Sequence, residues 1–466
     1  MLPRVWQYAP LLVYLFLVVY TPPVGPVPSL AKCAILVLLP LVGTIYLMAH
    51  RWIPFELLQQ RVGSLTVFVY ISVLGSLLVA AVALSNSEST SSILETRLLQ
   101  NNTTLLMAIN AVVAALLVRR RGLRSREALE LLLILGSVQG LIALAGLFLP
   151  AVKSVSNSLY RAAGGSNEFV VASRIYGFST DFTYGTQIYH GTLAGIAVAL
   201  LIAGRGRAWY VGSVVLLLAT TALNGRTGLL VFLVILASSL LIRLIRNGQL
   251  AQAVVVTGTA TLIGWGALSW LAKRAPTTYT FIASFVEETR LLIVEGELRG
   301  NYKILADGLS RIPSGTELIL GTGEYVYETA GFRTDVGITI DLFAGGLLYV
   351  LFVYGAFLIS ILDSPKDFRI EKWSLLVMWA FANVKGEFFR SSILLFLVFY
   401  LLVNWRMEPT VGSGPRSSNV QRGKRSIEKL PQRGTSDTDD GRRQRRTYPE
   451  LDGASGSKEW LGSSRL

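Results

Sequence analysis

The stretch Thr103–Phe148, TTLLMAINAVVAALLVRRRGLRSREALELLLILGSVQGLIALAGLF, decides the fold class. Two long apolar runs, 103–118 and 128–148, flank the basic turn RRRGLRSRE at 119–127. Each run is close to the length needed to cross a hydrocarbon core of about 30 Å at 1.5 Å per residue. The basic turn marks which end of the two spans faces inward, because Lys and Arg accumulate in cytoplasmic loops.

The same pattern recurs along the whole chain. Of 466 residues, 52% are hydrophobic and 15% charged, and the mean hydropathy is +0.52. A soluble chain of this length has no use for that much apolar surface, so the expected class is an all-α polytopic membrane protein. Further apolar runs fall at 5–22, 29–49, 64–84, 185–204, 208–223, 227–242, 251–271, 340–362, 373–385 and 389–405, giving about twelve transmembrane helices. The run at 373–385 is the shortest and ends in Lys385-Gly386-Glu387, so it reads as a span with a polar end or as a broken helix. The N-terminal run has a weakly basic start and no small-residue cleavage site, so it is expected to be the first span and not a signal peptide.

With twelve spans, the basic segments at 119–127, 205–207, 243–248 and 363–372 share one side with Arg51, Arg61 and the C-terminal tail. The positive-inside rule then predicts both termini in the cytoplasm. The chain divides into a membrane domain, 1–405, and a basic tail, 406–466, rich in Gly, Ser, Arg, Asp and Pro and expected to be disordered. The tail clusters RGKR and GRRQRR suit anionic lipid headgroups. The net charge of +14 follows from this patterning, with 13 basic and 8 acidic residues in the tail, and is no sign of nucleic-acid binding. One cysteine, Cys33, excludes an intramolecular disulfide, and two histidines, His50 and His190, argue against a zinc site; no metal or cofactor is expected.

Function is then sought on the outward side, where most loops are short and two are not: 149–184 and 272–339. The second is long enough to demand structure of its own. Within it Glu295, Arg299, Lys303, Asp307 and Arg311 recur every fourth residue, with Val294, Leu298, Leu305, Leu309 and Ile312 opposite. That spacing predicts an amphipathic helix on the outer membrane surface.

Charges near hydrocarbon are costly and usually face a cavity or a partner. In the segment 173–185, SRIYGFSTDFTYG, an interfacial belt accounts for the aromatics but not for Arg174, Asp181 or the following His190. His190 also suits helix packing. Arg226 sits on an outward Asn-Gly turn that needs no arginine. The long loop adds Arg290, Arg299, Lys303, the Gly-Thr-Gly turn 321–323, Glu324, Arg333 and Asp335, with Asp341 opening the next span. The last outward turn, VKGEFFRSS, carries Lys385, Glu387 and Arg390. Arginine forks bind phosphate and pyrophosphate bidentately, and a carboxylate can deprotonate a sugar hydroxyl. The pattern points to an anionic, lipid-linked substrate at the outer leaflet.

Residues 170–360 resemble the O-antigen polymerase and O-antigen ligase superfamily of bacterial inner membranes. The likeness rests on RIYGFSTDFTYGTQIYHGTLAGIAVAL, on LNGRTGLLVFLV, and on the order of an arginine, an amphipathic stretch, a Gly-x-Gly turn and an aspartate opening a Gly-containing span. Arg174 and Gly185 are also separated by ten residues, similar to an R-x10-G pattern of the polymerases, whereas Arg290 reaches Gly300 one residue too soon. The resemblance implies a metal-independent glycosyltransferase of the C type. It would act on undecaprenyl-pyrophosphate-linked glycans, among membrane lipids and beside flippase and chain-length regulator proteins. Ligases of the superfamily are expected to carry a histidine in the large loop. None lies between Lys273 and Thr339, and Asp335 stands near that place, which favours a polymerase.

The implied assignment gives Arg174, Arg226, Arg299, Arg290 and Arg333 to the pyrophosphates. Asp335, Glu324 or Asp181 act on the acceptor hydroxyl, and His190, Lys303, Glu387 and Arg390 line the site. A ligase joining polymer to an acceptor, a transporter or flippase of lipid-linked sugars, and a non-catalytic scaffold are the rival expectations.

Overall fold

A computed structural model describes residues 8–22, 28–50, 55–86, 90–162, 184–247 and 276–326, then 334–408, together with a few isolated positions, Arg174, Ile175 and Gly177–Ser179 among them. The expected tail lies outside the described residues from 409 onward, and so do most of the run 251–271, Asp181 and Arg333.

Every described element is helical, and no strand occurs among the described residues. The helices are α1 (Ala9–Tyr20), α2 (Pro28–Ala49), α3 (Phe55–Asn86), α4 (Thr90–Arg120), α5 (Ser125–Phe148), α6 (Pro150–Ala162), α7 (Gly185–Ile202), α8 (Tyr210–Asn224) and α9 (Thr227–Asn247). They continue with α10 (Pro276–Arg290), α11 (Gly300–Ser310), α12 (Thr316–Leu320), α13 (Gly337–Tyr349), α14 (Gly355–Leu362), α15 (Arg369–Lys385) and α16 (Ser392–Met407). A helix satisfies all its backbone polar groups internally, which is what apolar runs in lipid require.

Six described helices are long and apolar enough to cross a membrane: Gly63–Ser85, Ile93–Arg120, Ser125–Phe148, Gly185–Ile202, Thr227–Ile245 and Gly337–Leu362. Four further apolar helices, Ala9–Tyr20, Ala34–Ala49, Tyr210–Asn224 and Ser392–Met407, are shorter. The chain is thus an α-helical, membrane-embedded protein. The expected span at 373–385 belongs to α15 and is in neither set. That helix has 17 residues and starts on Arg369, Glu371 and Lys372.

Helix α16 is buried along its whole length, and α1, α3, α4, α5 and α7 pack around it. The closest crossing is between α7 and α9. A Cβ on Gly191 would lie 2.0 Å from the Gly228 carbonyl oxygen, and one on Gly228 would lie 2.0 Å from that of Gln187. Small residues on both faces let the two backbones touch, as membrane helices do where dispersion contacts drive association.

Polar contacts gather at the two ends of the bundle. At one end Arg119 reaches Ser125 and the Asn404 carbonyl, Arg207 pairs with Glu130 at 2.6 Å, and Arg406 donates to the Ser360 carbonyl. The opposite end holds Ile175, Tyr184, Arg226, Arg97, Asp341 and the turn 385–391, described below. Strong basic bias at one end and mixed charge at the other is the pattern the sequence leads one to expect.

Within the long segment between α9 and α13, residues 276–326 are structured. The expected amphipathic helix begins at Gly300, five residues later than the i+4 charge series suggests. The chain passes through a π-helical turn, Leu291–Glu295, and reverses at Gly296 with φ 68°, so Glu295 and Arg299 precede the helix. Lys303 and Asp307 are exposed on it, and its Gly308 carbonyl accepts from Thr339 Oγ1 at 2.9 Å, which fastens it to α13.

Helix α13 is broken at Gly346, with φ 66° and ψ −170°. The Gly-Thr-Gly turn docks into that break. Thr322 donates to the Phe343 carbonyl from its backbone N–H at 2.6 Å and from its hydroxyl at 3.0 Å, so that carbonyl does not go unpaired. The turn cradles its own helix, as a plain structural turn does. A Cβ on Gly346 would lie 2.3 Å from the Ile319 carbonyl oxygen in a backbone region almost reserved for glycine. Gly346→Ala is therefore expected to cost about 1–3 kcal/mol. A lowered unfolding midpoint in detergent checks it, and an unchanged midpoint refutes the docking.

Candidate functional site

Of the five arginines assigned to pyrophosphate, Arg174 and Arg226 lie against one and the same ring. Ile175 N–H donates to the Leu223 carbonyl at 3.3 Å, so the segment before α7 lies beside the α8–α9 turn. Gly177 and Phe178 are held from below by Gln139 of α5, whose Oε1 accepts from Phe178 N–H at 3.3 Å. Gln187, in the first turn of α7, accepts from Thr227 N–H at 3.1 Å and presses on Gly225, which fixes the turn carrying Arg226. The guanidinium of Arg174 lies 5.2 Å from the centre of the Phe281 ring, and that of Arg226 lies 4.9 Å from the same ring.

Helix α10 supplies the other partners of Arg226. Its Nη2 donates to the Phe281 carbonyl at 2.9 Å and to Ser284 Oγ, and its Nη1 pairs with Glu288 at 3.1 Å. A cleft of about 480 Å³ opens here, lined by Pro276, Thr277, Thr280, Phe281 and Ser284. Three hydroxyl side chains, Thr277, Thr280 and Ser284, line it, and its Phe281 is the ring against which both guanidinium groups lie. Glu288 was not foreseen. It lies between Arg226 and Gly300, where a Cβ would be 2.5 Å from Glu288 Oε1.

The remaining loop cations lie elsewhere. Arg290 pairs with Glu287 at 2.8 Å and Glu295 at 3.1 Å, and Arg299 with Glu297 at 2.7 Å. The hydrogen bonds from Arg290 hold the exposed Glu287 carboxyl below its ordinary range. Arg299 is 59% exposed, and such surface pairs are worth little. Neither has a contact with Arg174 or Arg226 among those described, and Lys303 is exposed on α11.

A second cluster forms where α4, α13 and α15 meet at the same end. Arg97, 2% exposed, donates from Nη1 to Asp341 at 2.8 Å, to Gln100 Oε1 at 2.6 Å and to the Tyr349 hydroxyl at 3.2 Å. Tyr354 donates to Asp341 Oδ2 at 2.7 Å and also lies 2.9 Å from Asn383 Oδ1. Glu387 stands 3.9 Å from Arg97, accepts from Tyr325 at 2.8 Å and pairs with Arg390 at 2.9 Å. Burial and the neighbouring Glu387 charge hold the Tyr325 phenol above its ordinary pKa, so it stays a donor. Lys385 pairs with Asp335 at 2.6 Å, and Tyr184 donates to the Glu387 carbonyl oxygen. Glu324 is half-buried, one residue before Tyr325.

Arg97 escaped sequence reasoning because it lay before the apolar run 103–118 and counted as loop. Helix α4 in fact starts at Thr90, and the buried Arg97, Gln100 and Thr104 share a face at i, i+3 and i+7. That spacing is the signal that could have found it.

His190 is not at the surface. It is fully buried in α7, with Nε2 2.8 Å from the Tyr20 hydroxyl and packed against Tyr189, which is the helix-packing alternative. No group of three or more His, Cys, Asp or Glu side chains suited to a metal occurs among the described residues. Comparison of the chain with protein-family models, with curated proteins and with solved structures finds no match.

Proposed function

We propose that the chain is a polysaccharide polymerase, extending lipid-linked oligosaccharide repeat units at the outer face of a bacterial inner membrane. The observation that carries the reading is the convergence of Arg174 and Arg226 on Phe281, which also lines a hydroxyl-bearing cleft. A lipid diphosphate seated there places its charge against two guanidinium groups. Those groups stabilise the leaving diphosphate as the growing glycan is transferred to the terminal sugar of the next unit. The reading takes about twelve spans with both termini in the cytoplasm, which puts the mixed-charge end of the bundle outside. Undecaprenyl pyrophosphate is the proposed carrier, and no metal is required by the step.

Deleting the gene is expected to leave single repeat units on lipid and abolish long polymer. Arg226→Ala, produced at normal level, is expected to lower polymer formation by about 10²–10³-fold, the usual loss when one charge-stabilising donor is removed. Wild-type chain length in that variant refutes the diphosphate site. Polymer accumulating on the lipid carrier in the deletion identifies a ligase instead.

A transporter of lipid-linked sugars is the second reading, favoured by the broken helix at Gly346 and the buried charges of α4 and α13. It predicts that the deletion strands repeat units on the inner leaflet.

A further inference from the structure

The two oxygens of Glu387 are treated unequally. Oε2 receives Tyr325 and Arg390, whereas Oε1 has no hydrogen-bond partner among the described residues and only Arg97 Nη1 near it, at 3.9 Å. Arg97 spends Nη1 on three partners, and its Nε and Nη2 have no acceptor among the described residues. Both side chains are more than nine-tenths buried. Unused donors and an unused acceptor therefore sit on adjoining buried groups, an arrangement that costs free energy until something joins them.

The charges say what that something is. Arg97 and Arg390 balance Asp341 and Glu387, so the cluster favours neither an anion nor a cation. A hydroxyl, of an alcohol or of water, accepts from a guanidinium and donates to a carboxylate at once. The site also has an orderly approach. Arg390 is 38% exposed and Tyr325 lies beside it, so these two side chains separate Glu387 from the outside.

We propose that Arg97 and Glu387 bind a sugar hydroxyl of the acceptor glycan and that Glu387 is the general base of the transfer; the sugar as ligand rests on the reading above. Glu387 Oε1 takes the hydroxyl proton, and the freed oxygen bonds to the anomeric carbon of the donor sugar. The bond from that carbon to the lipid diphosphate breaks, and the electron pair leaves on the diphosphate oxygen held by Arg174 and Arg226. The proton on Glu387 returns to solvent.

The two points are mounted on one piece of backbone. Tyr184 touches the Glu387 carbonyl and Gly386, and Gln187, three residues later, fixes the Arg226 turn. Both clusters thus lean on the start of α7, one through Tyr184 and the other through Gln187.

The test measures binding of two lipids to the full chain in nanodiscs. One is bare undecaprenyl pyrophosphate, and the other is the lipid-linked oligosaccharide extracted from cells lacking this chain. Glu387→Gln is expected to weaken the sugar-bearing lipid about tenfold, the effect of one mismatched buried hydrogen bond, and to leave the bare lipid unchanged. Arg226→Ala is expected to weaken the bare lipid, which fills the donor diphosphate position, and to leave the Glu387-dependent part of the sugar-bearing lipid's binding in place. If Glu387→Gln affects both lipids equally, or neither, the hydroxyl site is overturned even when Arg226→Ala behaves as expected. If Arg226→Ala changes neither while Glu387→Gln still discriminates, the diphosphate assignment falls and the hydroxyl site stands. Should the glutamine variant not remain monodisperse, Glu387→Asp keeps the charge and withdraws the carboxylate by one methylene. The same discrimination is expected, and wild-type binding of both lipids overturns the proposal.

Discussion

Arg97→Met is expected to destabilise the protein by about 3–5 kcal/mol, the typical result of removing one member of a buried ion pair. Methionine fills much of the arginine's volume, so the loss is electrostatic more than steric. Asp341 would keep only Tyr354 as a donor, and Glu387 would keep Arg390 and Tyr325 on one oxygen. Gln100 and Tyr349 would lose the guanidinium that both contact. Unfolding in mixed micelles, followed by near-ultraviolet circular dichroism, measures the change. A double replacement, Arg97→Met with Asp341→Leu, is expected to recover part of it, because no uncompensated carboxylate then remains at Asp341. If the single and double variants unfold at the wild-type midpoint, Arg97 is not the buried cation described here.

The second large effect comes from a residue with no polar atom in its side chain. Gly191→Val would put a branched side chain where even a Cβ lies 2.0 Å from Gly228 O and 2.7 Å from Gly228 C. Both are backbone atoms, so no side chain can turn aside and the helices must part. Overpacking of this kind costs about 1–3 kcal/mol, and more where only backbone can yield. Function should suffer before folding does. Gln187 lies one turn before Gly191 and holds Thr227, next to Arg226, so parting α7 from α9 moves the guanidinium away from Phe281 and Glu288. Gly191→Ala is expected to show the same defect to a lesser degree. Chain-length analysis of the polymer, paired with the unfolding midpoint, separates the two losses. Wild-type chain length in Gly191→Val refutes the close crossing.

How much of this was written in the sequence depends on the kind of signal. Apolar runs announced the helices because hydrocarbon admits little else, and the Arg119–Arg126 turn announced one end of the bundle. Arg226 was legible because an Asn-Gly turn, expected on the outward side, has no need of arginine. Arg174 was legible because it runs against the charge bias. Their meeting on Phe281 was not legible, since it depends on α10 folding back over the α8–α9 turn, and nothing local in PTTYTFIASFVEETR says so. The i+4 series from Glu295 to Arg311 misled at its start because charge spacing ignores Gly296, where the chain reverses. Arg290 and Arg299 looked like phosphate ligands until their near neighbours Glu287, Glu295 and Glu297 were seen to occupy them. Arg97 was hidden by the assumption that a span begins where polarity ends.

The pairing of Arg97 with Asp341 has a consequence for how the chain is made. The partners are 244 residues apart. At translation rates of about 5–20 residues per second, Arg97 enters the membrane roughly 12–50 s before Asp341 exists, and Glu387 comes later still. Throughout that interval a guanidinium destined for the interior has to stay at the headgroups, with α4 riding higher or tilted. Final seating of α4 then waits for the last third of the protein, so a chain truncated before α13 should be recognised by quality-control proteases through this one unburied arginine.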